Sequence, residues 1–126
     1  MTCIRLSIEN VTALHSKLIS QSGGSDGIRD AHLLDLSVNS PYHTFGGQYL
    51  YPTLQAMAAH LAFSLVKNHP FLDGNKRIGV LAMMVFLKIN GLPLSCTDNE
   101  LETIGWGLAD GSVTEADLLD WIILHC

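Results

Sequence analysis

The longest apolar stretch of the chain, residues 78–87 (IGVLAMMVFL), is the feature that most restricts its fold. It lies between helical boundaries, because Gly74 or Asn75 can begin a helix and Gly91 can end one after Asn90. A helix that is apolar on all sides is typical of one surrounded by other helices in a core. The run is also much shorter than the roughly 20 residues that cross a bilayer. The sequence therefore predicts a central buried helix and no membrane span.

Five more helices are predicted around it from apolar residues at three- and four-residue spacing and from capping residues. The first ends near the glycine-rich residues 20–27 (SQSGGSDG), and the second at the Ser40-Pro41 pair. The third ends near Asn68, because His69 precedes a proline and is pushed out of the helical region. The residues predicted to begin these five helices are Ser7, Asp30, Pro52, Thr97 and Thr114.

One segment interrupts this pattern. Residues 42–51 (YHTFGGQYLY) are rich in aromatic residues and glycine and have no helical period, which predicts a short extended arm or hairpin. No repeat or linker divides the 126 residues, so a single domain over residues 1–126 is expected. The predicted fold is all-α, a compact bundle of about six helices with an irregular or β-hairpin flap before the third long helix.

Charge and cysteine content exclude several classes of function. Seven basic and twelve acidic residues give a net charge of −5, which argues against general binding to nucleic acid or to an anionic membrane. Three widely spaced cysteines, Cys3, Cys96 and Cys126, form no CxxC pair and indicate free thiols in a reducing compartment. No secretory leader is recognisable at the N-terminus, so we expect a cytoplasmic protein.

The polar residues of the chain are concentrated just before the central helix, in residues 69–77 (HPFLDGNKR). A helix N-terminus attracts anions through its unpaired amides and its dipole, and Gly74 allows a ligand to approach the backbone closely. Lys76 and Arg77 stand in the first turn, where cations oppose the dipole. A bound phosphate explains this placement. A solvated first turn is the structural alternative.

Three further residues of the segment have candidate roles. His69 can take a proton from a hydroxyl near neutral pH, and Asp73 can hold the Mg²⁺ that accompanies a nucleotide's phosphates. Asp73 could equally be only a helix cap. Phe71 is expected to point inward and anchor the loop on the core. The other histidines are interpreted as structural; they are His15, His32, His43, His60 and His125. Trp106 and Trp121 are expected to pack in or against the core, with a place in a partner groove as the alternative for either.

The segment HPFLDGNKR resembles the signature of the Fic/Doc superfamily, HPFx[DE]GN followed by a basic pair. The residues TFGGQYLYPTL before the third helix and FLKINGLPL after the signature look like those of the death-on-curing branch, so the resemblance covers most of the chain. The sequence contains no GxxxxGK[ST] loop, no GxGxxG turn and no HRD and DFG pair. It therefore gives no indication of another nucleotide-binding fold.

The resemblance implies a role for each residue of the signature. His69 is similar to the family's general base for a target hydroxyl, and Asp73 matches the acidic metal-binding position. Gly74 and Asn75 match the anion-hole turn, and Lys76 and Arg77 match the basic pair of the death-on-curing branch. Four flap residues match the segment that clamps an extended piece of the target by strand addition: Thr44, Phe45, Gly46 and Gly47.

Activity, cofactors and partners are also implied only by the resemblance. We expect the toxin of a type II toxin-antitoxin system that uses Mg²⁺ and ATP to phosphorylate a serine or threonine of a protein, with elongation factor Tu as the suggested target. Its antitoxin is expected to carry a disordered segment that folds onto the toxin. Val80 stands where adenylyl-transferring members have a second arginine, which disfavours that activity, whereas Gly74 is more similar to their consensus. Adenylyl transfer and a catalytically lapsed binding module both remain open.

Overall fold

The computed structural model describes residues 3–126, and this range contains six α-helices, one 3-10 helix and one β-hairpin. The all-α prediction is confirmed. In chain order the elements are α1 (Ile8–Ser22), α2 (Ala31–Asn39), a 3-10 helix (Ser40–Tyr42), β1 (Thr44–Phe45), β2 (Gln48–Tyr49), α3 (Leu54–Asn68), α4 (Asn75–Ile89), α5 (Asp98–Asp110) and α6 (Glu115–His125).

Four of the five predicted helix starts are confirmed, because Ser7, Asp30, Thr97 and Thr114 each cap their helix with a side-chain oxygen. The prediction for Pro52 is wrong. Helix α3 begins at Leu54, and the hydroxyl of Thr53 accepts the amide hydrogen of Ala56. Threonine supplies the capping oxygen that proline lacks, so the proline lies one residue outside the cap.

The aromatic and glycine-rich segment forms the hairpin. Thr44 pairs with Tyr49 and Phe45 with Gln48, in antiparallel register. The two residues between the strands, Gly46 and Gly47, have φ of 59° and 79°. A two-residue hairpin turn with both φ values positive fits the twist of the strands and favours glycine at both positions. Phe45, in the first strand, is 82% exposed.

Helices α3 and α4 form the centre of the bundle, and their close approach depends on Gly79. A Cβ atom at this position would lie 2.6 Å from Val66 Cγ2 and 3.1 Å from the carbonyl oxygen of Ala62. The prediction that α4 is surrounded on all sides is only partly right. Several of its apolar side chains are buried, whereas four are only half-buried, and three of these four line a groove that α1 and α5 leave open beside α4. The buried set includes Ile78, Met83, Phe86 and Leu87, and the half-buried set is Val80, Leu81, Met84 and Val85.

The turn between α3 and α4, residues 69–74, is supported by the loop between α1 and α2. Ile28 and Phe71 form an isolated antiparallel bridge, and the amide of Leu72 donates to the carbonyl of Gly27 at 3.0 Å. Phe71 is 1% exposed and stacks on the ring of His15, with centroids 3.8 Å apart. The carboxyl end of α3 and the amino end of α4 are therefore held together on one side of the molecule.

Other sequence expectations have mixed outcomes. Trp121 is half-buried and stacks on His125, but Trp106 is 57% exposed, so its predicted packing in the core is wrong. Its ring is instead covered on one face by the ammonium of Lys76, from α4. All three cysteines are free. Within residues 3–126, no helix is both long enough and apolar enough to cross a bilayer.

Candidate active site

His69 follows the last residue of α3 and has a left-handed backbone conformation, with φ 49° and ψ 53°. It is the one non-glycine residue with positive φ in the described part of the chain. Such a conformation costs free energy and persists only where the surroundings enforce it. Its imidazole is exposed, and Pro70 and Phe71, which follow, are buried. The chain thus turns sharply so that the histidine faces outward while the next two residues enter the core.

Asn75, the first residue of α4, is 4% exposed and orients the imidazole of His69. Its Oδ1 accepts the amide hydrogen of Phe71 at 2.9 Å, which fixes the direction of the side-chain amide. Its Nδ2 then donates to the carbonyl of Phe71 at 3.0 Å and to Nδ1 of His69 at 3.1 Å. Nδ1 is therefore an acceptor, and the neutral ring carries its proton on Nε2.

Asp73 presents its carboxylate beside the start of α4, with its side chain 49% exposed. The amide of Ser25 donates to Oδ2 at 3.2 Å, and the amide of Gly74 donates to Oδ1 at 2.8 Å. These hydrogen bonds, that of Ser25 first, lower the pKa of the Asp73 carboxyl below its ordinary value. The group is ionised at neutral pH and retains lone pairs that face solvent.

The N-terminus of α4 differs from the other five helix starts. Each of those is capped by a side-chain oxygen, but α4 follows Gly74, and none of the described side chains caps it. Gly74 has φ 75°, and a Cβ atom there would lie 3.1 Å from Cδ1 of Ile19. The first-turn amides of α4 and the positive end of its dipole are consequently available to an anion.

Lys76 and Arg77 have partners within the chain. The ammonium of Lys76 lies over the ring of Trp106, 3.1 Å from the centroid, as a cation–π contact. Nη1 of Arg77 donates to the hydroxyl of Ser22 at 2.6 Å and to the carbonyl of Gly23 at 3.0 Å. Nη2 of Arg77 is 3.9 Å from Asp73 Oδ1. Their charge alone therefore does not require a bound anion, and an anion would have to compete with these contacts.

A single open cleft of about 330 Å³ brings the predicted residues together. The cleft is bordered by the carboxyl end of α3, the amino end of α4 and one residue of α5, Ala109. Phe71 is buried in the core, and neither it nor the four flap residues of the hairpin form part of the cleft wall. The lining residues are Val66, His69, Leu72, Asp73, Gly74, Asn75, Lys76, Arg77 and Ala109.

Two residues that support this loop were not recognised in the sequence. His15 is fully buried under the loop, and its Nε2 donates to the carbonyl of Asp73 at 2.7 Å. Arg29 donates to the carbonyls of His69 and Asn68 at 2.6 and 2.9 Å. Both contacts join residues at least 39 positions apart, so no local pattern indicates them. The sequence predicts a structural role for His15 and indicates no particular role for Arg29.

The residues of the cleft fit a magnesium–nucleotide complex better than a metal held by protein alone. Residues 3–126 contain no group of three or more His, Cys, Asp or Glu side chains that could hold a metal ion. Mg²⁺ bound with a nucleotide commonly uses one or two carboxylates together with phosphate oxygens and water. Asp73, ionised and adjacent to an uncapped helix N-terminus, suits that arrangement.

A second, apolar groove of about 560 Å³ lies beside the cleft, between α1, α4 and α5. Its floor contains Val80, Leu81 and Met84. Lys76 and Arg77 line both cavities, whereas Asp98 and Glu102 lie in the groove alone. The groove therefore has basic residues where it meets the cleft and acidic residues elsewhere along its wall.

Comparison with known proteins assigns the family. A family model described as the Fic/DOC family matches residues 5–87, and the chain belongs to this family. The protein named Toxin Doc from Mycolicibacterium smegmatis is 45% identical over 73 residues, which are 58% of this chain and 56% of that relative. The match thus spans little more than half of the relative's length. The protein named Protein kinase doc from Escherichia phage P1 is 25% identical over 115 residues, 91% of this chain and 90% of that protein.

Proposed function

We propose that this protein is the toxin of a toxin-antitoxin pair and that it transfers the terminal phosphate of ATP to a serine or threonine hydroxyl of a protein. Membership of the Fic/DOC family supports a transferase. One relative is named a toxin and the other a protein kinase, and the phage protein matches over nine-tenths of this chain. Elongation factor Tu is the proposed target, as the family resemblance of the signature implies.

The observation that carries the proposal is the convergence of three groups on one cleft. The imidazole of His69, the carboxylate of Asp73 and the uncapped first turn of α4 all border the same space. Phosphoryl transfer relies mainly on positioning and on stabilising charge at the phosphoryl oxygens, and these groups supply both.

His69 acts as the general base. In the neutral ring Nδ1 has the one available lone pair, and Asn75 donates to it, so the target hydroxyl takes the place of the Asn75 amide and gives its proton to Nδ1. The hydroxyl oxygen forms the new bond to the terminal phosphorus, and the bond from that phosphorus to the bridging oxygen breaks. ADP leaves with the electron pair, and His69 later releases its proton to solvent.

The remaining residues hold the nucleotide. Mg²⁺, when bound, neutralises phosphate charge, and Asp73 is the carboxylate that would hold it. The amides of residues 75–77 donate to phosphoryl oxygens. The Gly74 amide joins them once it leaves Asp73 Oδ1, and Nδ2 of Asn75 does so once the target hydroxyl replaces it at His69. Lys76 and Arg77 add positive charge once they leave Trp106 and Ser22, respectively. The free energy of nucleotide binding is thus reduced by the cost of breaking the contacts that these two side chains make in the free protein.

The position of the label in ATP tests the reaction. Purified protein is incubated with a bacterial lysate and ATP labelled at either the γ or the α phosphate. We expect transfer from the γ position only, onto a band that purified elongation factor Tu reproduces. His69→Ala should reduce the rate by about 10²- to 10⁴-fold, the usual contribution of a general base. Transfer of label from the α position would instead show that the activity is adenylyl transfer.

Adenylyl transfer is the second candidate because Gly74 resembles the adenylyl-transferring consensus, and its φ of 75° favours glycine at this position. Against it, Val80 replaces the second arginine of that branch and lies in the wall of the apolar groove. A catalytically lapsed binding module is the third. It would be supported if wild type and His69→Ala consumed no nucleotide and were equally harmless when expressed in cells.

The partner that we propose is an antitoxin whose disordered segment folds into the apolar groove as a helix. The groove offers half-buried Leu81 and Met84 to the apolar face of such a helix. Acidic residues of the segment would face Lys76 and Arg77, where the groove meets the cleft, and would compete there with phosphate. Inhibition would then follow from occupation of the residues that hold the nucleotide.

A further inference from the structure

Arg29, in the loop between α1 and α2, hydrogen-bonds to the backbone of His69 and of the residues before and after it. Its Nε donates to the carbonyl of His69 at 2.6 Å and its Nη2 to the carbonyl of Asn68 at 2.9 Å. The amides of Arg29 and Asp30 both donate to the carbonyl of Pro70, at 2.8 and 3.0 Å. Three successive carbonyls, those of residues 68–70, therefore accept from two residues that are remote in sequence.

These carbonyls belong to the most strained part of the described backbone. A helix that ends in a left-handed residue normally has glycine there, but α3 has His69, with φ 49°. Pro70 follows directly and restricts the preceding residue further. A histidine in this position suits catalysis more than local stability, so the conformation has to be maintained by contacts from elsewhere.

Arginine is well suited to this task. Its guanidinium is planar, always charged and able to direct two donors at two neighbouring acceptors, whereas a lysine ammonium acts as a point charge. The group also lies at the carboxyl end of α3, where the helix dipole favours a cation. Hydrogen bonds from a charged donor are stronger than those between neutral groups.

We propose that Arg29 is a positioning residue that keeps His69 in its left-handed conformation, so that the imidazole faces the cleft beside Asn75. It touches neither the nucleotide nor the target in this arrangement and acts only through the backbone of His69. The effect on catalysis rests on the proposed function. The effect on the imidazole does not, because it concerns the geometry of the free protein.

The variants Arg29→Ala, Arg29→Gln and Arg29→Lys test this assignment, with Arg5→Ala as the matched control. Arg5 is also an exposed arginine with a partner in the chain, since it lies over the ring of Tyr42 at 4.7 Å, but it does not line the cleft. The first readout is steady-state phosphoryl transfer. We expect Arg29→Ala to lower kcat by about 10- to 100-fold through misplacement of the base, with KM for ATP changed by less than about twofold.

Arg29→Lys should recover part of that loss and Arg29→Gln less, because lysine retains the charge. Arg5→Ala should resemble wild type in both constants. A purely structural role for Arg29 would lower the unfolding midpoint while kcat of the folded fraction stayed at the wild-type value, and this result would overturn the assignment. An increase in KM for ATP at unchanged kcat would do so as well.

The second readout is the NMR signal of the His69 ring in the protein without nucleotide, assigned by its loss in His69→Ala. Arg29→Ala should shift these ring resonances, and Arg5→Ala should leave them unchanged. If the wild-type protein transfers no label from ATP, the proposed function fails, and this spectrum still decides the role of Arg29. Unshifted His69 resonances in Arg29→Ala would refute it.

Discussion

At the scale of single residues, the cleft combines one strained residue with several tightly held ones. His69 occupies a left-handed conformation that costs on the order of 1–3 kcal/mol for a non-glycine residue. Asn75, Arg29 and His15 hydrogen-bond to the same turn from three directions. The backbone of the turn is therefore held by the protein itself, and the Asp73 carboxylate is held separately by the amides of Ser25 and Gly74.

Lys76 provides a residue-scale prediction because its ammonium covers Trp106 in the free protein. If Lys76 is a phosphate ligand, saturating Mg²⁺ and ATP should draw the ammonium away from the indole and change its fluorescence. Trp121→Phe leaves Trp106 as the one emitting indole of the chain. Titration of that variant with ATP should change the emission, and the same titration of Trp121→Phe with Lys76→Met should not. Unchanged emission at an ATP concentration that calorimetry shows to be saturating would contradict this role of Lys76.

At the scale of secondary-structure elements, three helices begin with reciprocal capping boxes, and these differ in charge. In α6 the amide of Asp117 donates to the Thr114 hydroxyl, and the Asp117 carboxylate accepts from the Thr114 amide at 3.0 Å. In α1 the neutral Asn10 performs the same function for Ser7. The capping box of α1 therefore shows that a neutral amide can take the place of the carboxylate.

Asp117→Asn should make the cap of α6 less sensitive to acid. Hydrogen bonds from Thr114, first the backbone amide and then the hydroxyl, lower the pKa of the Asp117 carboxyl below its ordinary value. A depressed carboxyl pKa stabilises the fold above the unfolded-state pKa, and this contribution is lost as pH falls through the folded-state value. Urea unfolding of wild type and Asp117→Asn should therefore differ more at pH 7 than below about pH 3. A difference that is independent of pH would be inconsistent with this.

Gly79→Ala is predicted to destabilise the pair of central helices. Alanine is favoured over glycine in a helix by about 1 kcal/mol, but the added Cβ would lie 2.6 Å from Val66 Cγ2 and close to the α3 backbone. Overpacking of this kind typically costs about 1–3 kcal/mol, so we expect a net loss of up to about 2 kcal/mol in urea unfolding.

Gly105→Ala is the comparison, because its Cβ would meet the flexible side chain of Lys76 at 3.0 Å instead of a helix backbone. It should cost less stability than Gly79→Ala. Phosphoryl transfer should fall in Gly79→Ala, since α3 carries His69 at its end and α4 carries the proposed phosphate site at its start. Equal stability of the two variants would contradict the importance of the close helix contact.

At the scale of the whole molecule, Lys76 and Arg77 line both cavities, so the groove and the cleft are adjacent. Occupation of the groove can therefore affect the phosphate site without a change of fold. Met84 lies in the groove but does not line the cleft. A substitution at Met84 can therefore test antitoxin binding separately from phosphoryl transfer.

Met84→Glu should prevent binding of the proposed antitoxin while retaining phosphoryl transfer. A carboxylate in this apolar groove would have to be desolvated by the partner, which is costly without a matching charge. The measurement is co-purification with the neighbour-encoded protein, together with transfer of label from γ-labelled ATP. Retained binding with normal affinity would show that the segment lies elsewhere, and Leu36→Glu, on the exposed face of α2, is the control that should leave both properties unchanged.

The sequence by itself determined the helices, most of their caps, the hairpin and the residues of the signature. These features depend on interactions within a few residues, such as the Thr97 cap or the two glycines of the hairpin turn. The family signature is likewise contiguous, from His69 to Arg77. Local chemistry is visible in a linear pattern because the interacting residues are neighbours in the chain.

Only the tertiary structure decided how the loop before α4 is held and which faces of α4 remain open. His15 and Arg29 reach this loop over 58 and 40 positions, and Trp106 meets Lys76 across two helices. The half-buried face of α4 also follows from where α1 and α5 lie, which its uniformly apolar sequence does not indicate. Such contacts are fixed by the packing of distant segments, and no short window of sequence contains both partners.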